Sequence, residues 1–97
     1  MSDTDDGDEY AGPAEVQAET GAWAVRVTLT GRFEPVDGRY HWAGRILPHS
    51  DVESLVRTGK RQVTVRISDR AAVPARLAEV DPWGGVRVVG VNRPPWR

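Results

Sequence analysis

The densest run of polar and aromatic side chains in the 97-residue sequence lies between residues 32 and 45. It contains two carboxylates, Glu34 and Asp37, and an imidazole, His41. A carboxylate within reach of an imidazole orients the ring as a general base, so this run is a candidate for acid–base catalysis. The phenol of Tyr40 completes the set of catalytic candidates. Because these groups act without a cofactor, we predict none.

The same run also has a purely structural interpretation. Asp37-Gly38 is a pair typical of tight turns, which need residues that tolerate positive φ. Tyr40 and Trp42 alternate with His41, as core residues alternate with solvent-facing residues along a strand. Tyr40 and His41 then face opposite sides of the sheet unless a β-bulge intervenes, which limits the catalytic interpretation.

A ligand site inside the domain would be lined by aromatic rings, with charged groups at its rim. Aromatic rings supply a large apolar contact area, and a charged group orients the ligand. We predict that the ligand-binding residues are Trp23, Arg32, Phe33, Tyr40 and Trp42.

Metal, thiol and phosphate sites have no matching pattern in the sequence. There is no cysteine, and His41 and His49 are eight residues apart with a proline between them. Gly84-Gly85 precedes a strand pattern, so it indicates a hairpin and not a phosphate loop that leads into a helix. We therefore predict no metal site.

The elements that must position these residues are mostly strands, because apolar residues recur with a period of two from Ala14 onward. Ser50 and Glu53 have the spacing of a capping box, and Gly59 fits the end of one short helix. The predicted strands cover residues 14–19, 23–33, 39–47, 61–68, 72–80 and 85–92. With no second helix to cover a face, the sheet should close into a small six-stranded antiparallel β-barrel or a curved roll. Side chains should fill so narrow a barrel, which leaves a ligand a shallow cavity or a cleft at the rim.

The length allows one domain, which we place at residues 12–97. Residues 1–11 are acidic and poor in apolar residues, so we expect them to be a disordered tail. No apolar run reaches the length of a membrane span, and the acidic start lacks the features of a signal peptide. We therefore expect a cytoplasmic protein that does not bind membranes.

Charge is divided unevenly along the chain. Five of the 14 acids lie in the first ten residues, which leaves nine acids and thirteen bases, a net charge of +4, in residues 11–97. These bases alternate with apolar residues, as at Arg26, Arg66, Arg76 and Arg87. This alternation is typical of the solvated face of a sheet and not of a nucleic-acid-binding patch, so we predict no nucleic-acid partner.

Three segments resemble a small actinobacterial domain family of unknown function. They are Phe33-x-Pro35-x-Asp37-Gly38-x-Tyr40-His41-Trp42-x-Gly44-Arg45, Asp81-Pro82-Trp83-Gly84 and Pro94-Pro95. The resemblance covers residues 12–97. Members of that family occur alone and as a C-terminal appendage of flavin-dependent monooxygenases, which implies a role in oxidative or secondary (natural-product) metabolism and a flavin monooxygenase partner. The resemblance supplies no catalytic residues.

These observations support three hypotheses about function. The first is a small-molecule-binding β-barrel domain that assists oxidative or natural-product metabolism. The second is a stand-alone, cofactor-free cyclase, isomerase or lyase that uses the acid–base residues of the 32–45 run. The third is an interaction module that docks on a monooxygenase-type partner.

The sequence also predicts self-association. Pro74 has no N–H to donate to a ladder, so the fifth strand should be an edge strand or bulged at that point. Ala71, Ala72 and Ala75 allow close approach to such an edge, and the terminal Pro94-Pro95-Trp96 adds apolar surface. We therefore expect a two-fold homodimer.

Overall fold

Alternation of apolar and polar side chains sets the strands of residues 9–97, the part of the chain that the computed structural model describes. The elements are β1 (Glu9–Ala18), β2 (Gly21–Glu34), β3 (Arg39–Ile46), α1 (Ser50–Arg57), β4 (Gln62–Arg66), β5 (Val73–Val80) and β6 (Val86–Val91). All strand pairs are antiparallel, and the order β1-β2-β3-β6-β5-β4 closes on itself. The predicted fold class, a mostly β six-stranded barrel with one short helix, is confirmed. Residues 9–11 of the predicted tail lie in β1, and residues 1–8 lie outside the described residues.

The barrel closes through a short seam between β1 and β4. Three residue pairs form it: Glu15 with Arg66, Val16 with Val65, and Gln17 with Thr64. On the outside of the barrel, Arg66 Nη2 donates to Glu15 Oε1 at 3.0 Å. The two valines are buried on the inside. Because each of the six described strands has a neighbour on both sides, the prediction of an edge strand is wrong.

Pro74 lies where β5 is paired on one side. It faces Thr64 of β4, whereas the pairing between β5 and β6 begins at Arg76. A residue without an N–H fits this position because no β6 carbonyl needs its donor. The bulge in β5 comes later, between Leu77 and Val80. The free edge that motivated the homodimer is missing, and the homodimer itself stays a prediction.

Apolar side chains fill the barrel interior. The innermost residues are each exposed by 2% or less: Val16, Val27, Leu29, Trp42, Ile46, Val65, Leu77, Val86 and Val88. These residues are the inward members of the alternating pattern along their strands. Burying a side chain of this size contributes about 1.5–3 kcal/mol. The interior is therefore a packed core.

The helix α1 follows β3 and covers the barrel end at which β3 finishes. Its buried side chains are Val52, Leu55 and Val56, which lie on one side of the helix. The helix stops in a Schellman motif, in which Lys60 N–H donates to the Leu55 carbonyl at 2.8 Å. Gly59 occupies the left-handed position of that motif with φ of 81°, which confirms its predicted role.

The start of α1 differs from the predicted capping box. Ser50 is the first helical residue, and the N-cap is His49, whose ring accepts from the Asp51 N–H. The Nδ1 to N distance is 3.3 Å. His49 has the extended backbone dihedrals of an N-cap residue, so the helix begins one residue earlier than a Ser50 cap would place it.

The C-terminal residues cover the opposite end of the barrel. Asn92, with φ of 79°, turns the chain after β6, and its N–H donates to the Tyr40 carbonyl at 2.6 Å. Pro95 and Trp96 are then buried against the core. The tail therefore packs on its own domain, and the apolar surface expected there for a dimer is already covered.

The hairpin of β2 and β3 extends beyond the rest of the barrel. Phe33 pairs with Tyr40, whereas β6 reaches only as far as His41. Phe33 has the inward parity of Leu29, but no strand or core lies beneath it, and it is 58% exposed. Inward parity therefore does not make Phe33 a core residue.

The bulge in β5 determines where two acidic side chains lie. It offsets β5 against β6 between Leu77 and Val80. Arg61 stabilises the bulge because its guanidinium donates to the carbonyls of Leu77 and Ala78. Glu79 and Asp81 follow on the outer surface, since an extra residue in a strand redirects the side chains after it.

Within residues 9–97, no helix is both long and apolar enough to cross a membrane.

Candidate functional site

The outward side chains of β2, β3 and β6 form a regular array on one face of the barrel. Strand register arranges them in three rows: Thr28, Arg45 and Arg87; Thr30, Ala43 and Val89; Arg32, His41 and Val91. Neighbouring strands are about 4.8 Å apart and successive rows about 6.7 Å apart, so the array spans ~10 by 13 Å. We call this array the outer face.

Two adjoining cavities lie over the outer face. The larger, about 790 Å³, lies over the first two rows and is bordered by Glu9, Tyr10, Glu79 and Asp81. The smaller, about 480 Å³, lies over the second and third rows and reaches Glu34. Because both are lined by Thr30, Ala43 and Arg87, they form one depression, which we call the outer groove. The volume of the larger cavity alone is in the range of small-molecule sites.

Arg45 is held at one end of the groove by Asp81. Arg45 Nε donates to Asp81 Oδ2 at 2.5 Å and Nη2 donates to Oδ1 at 3.3 Å, a two-pronged ion pair. The guanidinium lies directly over the α-carbon of Gly85, where an added β-carbon would overlap it. Gly85 is therefore required for this arrangement.

Asp81 also organises the turn between β5 and β6. Its Oδ1 accepts from the N–H groups of Trp83 and Gly85, each at 2.9 Å. The hydrogen bond from Arg45, helped by these two backbone donors, lowers the pKa of the Asp81 carboxyl to about 2. Oδ1 accepts three hydrogen bonds and Oδ2 accepts one, so both carboxylate oxygens of Asp81 are engaged.

Arg87 lies beside Arg45 across the strand pair but has no such partner. Among residues 9–97, no carboxylate forms an ion pair with its guanidinium. Its side chain is exposed on β6 and lines both cavities. Two positive charges directly opposite each other destabilise the pairing of two strands, and Asp81 neutralises only the charge of Arg45.

Asp37 and His41 form a pair at the other end of the groove. His41 Nε2 donates to Asp37 Oδ2 at 2.8 Å, and the other Asp37 oxygen accepts from the Arg39 N–H at 3.0 Å. The hydrogen bond from His41 is the main reason that the pKa of the Asp37 carboxyl is lowered. The side chain of His41 is 37% exposed and lines the smaller cavity. A carboxylate that orients an imidazole beside a cavity has the geometry of a general base.

Other predicted residues lie close to this pair. Glu34 accepts from Arg32 Nε at 2.8 Å, and Arg32 is the cross-strand neighbour of His41. The structure thus brings Arg32, Glu34, Asp37 and His41 together around one hairpin. Tyr40 lies on the opposite face of β3, as parity predicts, with the guanidinium of Arg97 5.0 Å from its ring centroid.

The predicted aromatic ligand residues do not form one site, although Phe33 and Tyr40 are direct cross-strand partners. Trp42 is 2% exposed and packs against Trp96, and Phe33 projects beyond the barrel. Trp23 pairs with Val16 near the start of β2, eight residues from Gly31, the partner of Trp42. At about 3.3 Å per residue, Trp23 and Trp42 lie near opposite ends of the barrel.

Several groove residues were not singled out in the sequence. Arg87 was assigned to a solvated face, and Thr30, Ala43 and Val89 carry no chemical signal of their own. Their proximity depends on the pairing of β3 with β6, which no local motif encodes. The one sequence signal for this end of the groove was the turn segment Asp81-Pro82-Trp83-Gly84-Gly85. Its aspartate caps the turn and also binds Arg45.

The part of the chain that the structure describes holds no cluster of three or more histidine, aspartate or glutamate side chains suited to a metal ion.

Comparisons with known proteins identify relatives without an assigned activity. Residues 7–97 match the family described as domain of unknown function DUF4873. Uncharacterized proteins of Mycobacterium tuberculosis and Mycobacterium bovis are 41% identical over 93 residues, which cover 96% of this chain and 26% of those proteins. The chain thus spans about a quarter of the length of these relatives. No solved structure matches it.

Proposed function

The chain belongs to the DUF4873 family, and we propose that it serves as an accessory small-molecule-binding domain whose ligand lies in the outer groove. The observation that carries this proposal is the contrast between the two sides of the sheet. Inside, Trp42 and its neighbours are packed with 2% exposure or less. Outside, an open groove with a cavity of about 790 Å³ combines an apolar floor with charged ends. Ligand sites commonly have this composition.

The length of the relatives supports the accessory role. In the mycobacterial proteins the matching region is 26% of the chain, so the domain accompanies a larger body of sequence there. This fits a domain that presents a small molecule to an attached or associated enzyme. The proposal includes the flavin monooxygenase partner and the role in oxidative or natural-product metabolism that the sequence resemblance implies. A pull-down with such a monooxygenase tests the partner.

The groove itself is tested by filling it. Ala43 lies at the centre of the floor, so an Ala43→Trp variant should occupy the space of a ligand without entering the core. Ala22→Trp is the matched control, because Ala22 is a strand alanine with an outward side chain, on β2, that borders neither cavity. Binding of hydroxylated naphthalenes and anthraquinones is followed by amide chemical shifts in NMR spectra.

We expect amide shifts at Thr30, Ala43 and Val89 in the unmodified chain, the same shifts in Ala22→Trp, and none in Ala43→Trp. Circular dichroism checks that both variants are folded. A folded Ala43→Trp variant that binds these compounds as the unmodified chain does would refute the site.

Acid–base catalysis is the second candidate function, and the contact between Asp37 and His41 favours it. The 2.8 Å hydrogen bond orients the imidazole at the edge of the smaller cavity, with Arg32 as its cross-strand neighbour. His41 would then take a proton from a bound substrate, and the carboxylate of Asp37 would stabilise the imidazolium. Incubation with the same compounds, followed by mass spectrometry, tests this. Turnover that is lost in His41→Gln but retained in Arg70→Gln supports it, and absence of turnover argues for binding alone.

A further inference from the structure

The charge of Arg87 points to the chemical class of the ligand. We infer that the outer groove takes an organic acid, whose anionic group binds Arg87 and whose ring system lies over Ala43 and Val89. This inference rests on the proposed groove and adds the ligand class and the residue that selects it. Its basis is the pattern of satisfied and unsatisfied charges around the groove.

Arg45 and Arg87 have different roles although they are direct cross-strand neighbours. The guanidinium of Arg45 already has an ion-pair partner, since its Nε and Nη2 both donate to Asp81. It also packs over Gly85. Arg87 is paired with no carboxylate among the described residues and has five N–H donors to offer. An arginine fork binds carboxylate or phosphate oxygens in two-pronged geometry.

The nearby carboxylates leave Arg87 available. Asp81 accepts four hydrogen bonds already, two from Arg45 and two from backbone N–H groups. Glu79 borders the same cavity but is exposed and forms no ion pair with Arg87. Glu9 also borders this cavity, but it lies on β1, three strands from β6, whereas Glu79 is on the neighbouring strand β5. Glu79 is therefore the carboxylate that competes most directly with a ligand anion, and its removal should strengthen binding.

The floor beside Arg87 suits a flat apolar body. Thr30, Ala43 and Val89 form the middle row across three strands, so a ring system ~10 Å wide lies against short side chains. The Thr30 hydroxyl provides a donor and an acceptor on this floor. A ligand anchored at Arg87 and extending ~13 Å along the strands would bring its far end to His41, beside the Asp37 pair.

A matched pair of compounds tests the anion preference. Naphthalene-2-carboxylate and its neutral carboxamide differ in charge but share the ring system, and both are titrated against the full chain while amide shifts are recorded. We expect shifts at Thr30, Ala43 and Val89, and roughly tenfold tighter binding of the carboxylate, as for a hydrogen-bonded charge. Inorganic phosphate alone is the third arm, and we expect it to bind more weakly because it leaves the floor uncovered.

Three charge variants locate the anion. Arg87→Gln should reduce the affinity for the carboxylate roughly tenfold and leave the carboxamide unchanged. Glu79→Gln should tighten carboxylate binding by about two- to fivefold. Arg70→Gln, which removes one exposed charge from the turn between β4 and β5, is the control and should change neither.

The outcomes separate the two proposals. If both compounds shift the groove amides with equal affinity, or if Arg87→Gln binds the carboxylate normally, the organic-acid inference is wrong and the binding groove stands. If phosphate binds as tightly as the carboxylate, a phosphorylated ligand replaces the organic acid. If neither compound shifts Thr30, Ala43 or Val89, the groove proposal fails together with this inference.

Discussion

The indole rings of Trp42 and Trp96 meet edge to face, with their centroids 6.3 Å apart and their planes at 82°. The last residues of the chain thus cover the aromatic end of the barrel, where the alternating pattern had placed a ligand cavity. The indole of Trp42 also approaches Gly90, the residue opposite it on β6, so closely that a β-carbon there would overlap it. The indole of Trp42 is thus almost fully buried and leaves no space for a ligand beside it, whereas the outer face of the sheet carries an open groove.

Trp96 should contribute strongly to stability, because it is 9% exposed and contacts the innermost tryptophan. Trp96→Ala would leave a cavity over Trp42, and changes of this kind cost about 3–5 kcal/mol. Urea unfolding followed by far-ultraviolet circular dichroism measures the loss without depending on tryptophan fluorescence. Trp83→Ala is the control, since Trp83 is 77% exposed and its removal should change the free energy of unfolding by less than about 0.5 kcal/mol. Equal effects of the two variants would contradict the observed packing of the tail.

Gly90 should tolerate no side chain while Trp42 is present. A β-carbon at position 90 would overlap the indole of Trp42, so Gly90→Ala forces one of the two strands to shift. Overpacking of this kind costs about 1–3 kcal/mol. Combining it with Trp42→Phe removes the overlapping atoms, and the double variant should lose less stability than the sum of the single losses. If thermal unfolding shows that the stability losses of the two single variants simply add in the double variant, overlap with Trp42 is not the cause of the loss in Gly90→Ala.

The face on which each strand residue lies could be predicted from the sequence, because alternation is independent of which strands are neighbours. Val63, Val65 and Ile67 alternate along the chain and are all buried, and Tyr40 and His41 lie on opposite faces of β3, as predicted. Phe33 has inward parity and is still exposed, because parity gives the side of the strand and not the length of the barrel beneath it. The β2–β3 hairpin continues past the last residue of β6, so Phe33 has no core to join.

The candidate site depended on strand order, which alternation does not provide. The helix between β3 and β4 separates two three-stranded units, and these join through β3 with β6 and through β1 with β4. Only the first of these contacts makes Arg45 and Arg87 neighbours. The local part of the site was predictable, because Asp37 and His41 belong to one hairpin and are four residues apart.

The pair of Asp37 and His41 is accessible to NMR. Because the hydrogen bond from His41 is the main cause of the lowered pKa of Asp37, His41→Ala should raise that pKa towards its ordinary value of 3.8. Carboxyl carbon shifts recorded as a function of pH measure the change. Arg32→Gln is the control, since Arg32 bonds to Glu34 and not to Asp37. A pKa of Asp37 that does not move in His41→Ala would remove the oriented imidazole on which the catalytic candidate depends.

Asp81 should make the stability of the domain sensitive to acid. The bond from Arg45 lowers the pKa of Asp81 in the folded state to about 2, against 3.8 for the free side chain, so folding favours the charged carboxylate. The stabilisation is therefore complete above the pKa of the unfolded chain and is lost as the pH falls from about 4 to about 2. Asp81→Asn lacks this dependence, and its thermal midpoint should fall less steeply over that interval than the midpoint of the unmodified chain. Arg45→Gln should reduce the steepness as well, because it raises the pKa of Asp81. Equal slopes for all three proteins below pH 4 would mean that the ion pair does not form in solution.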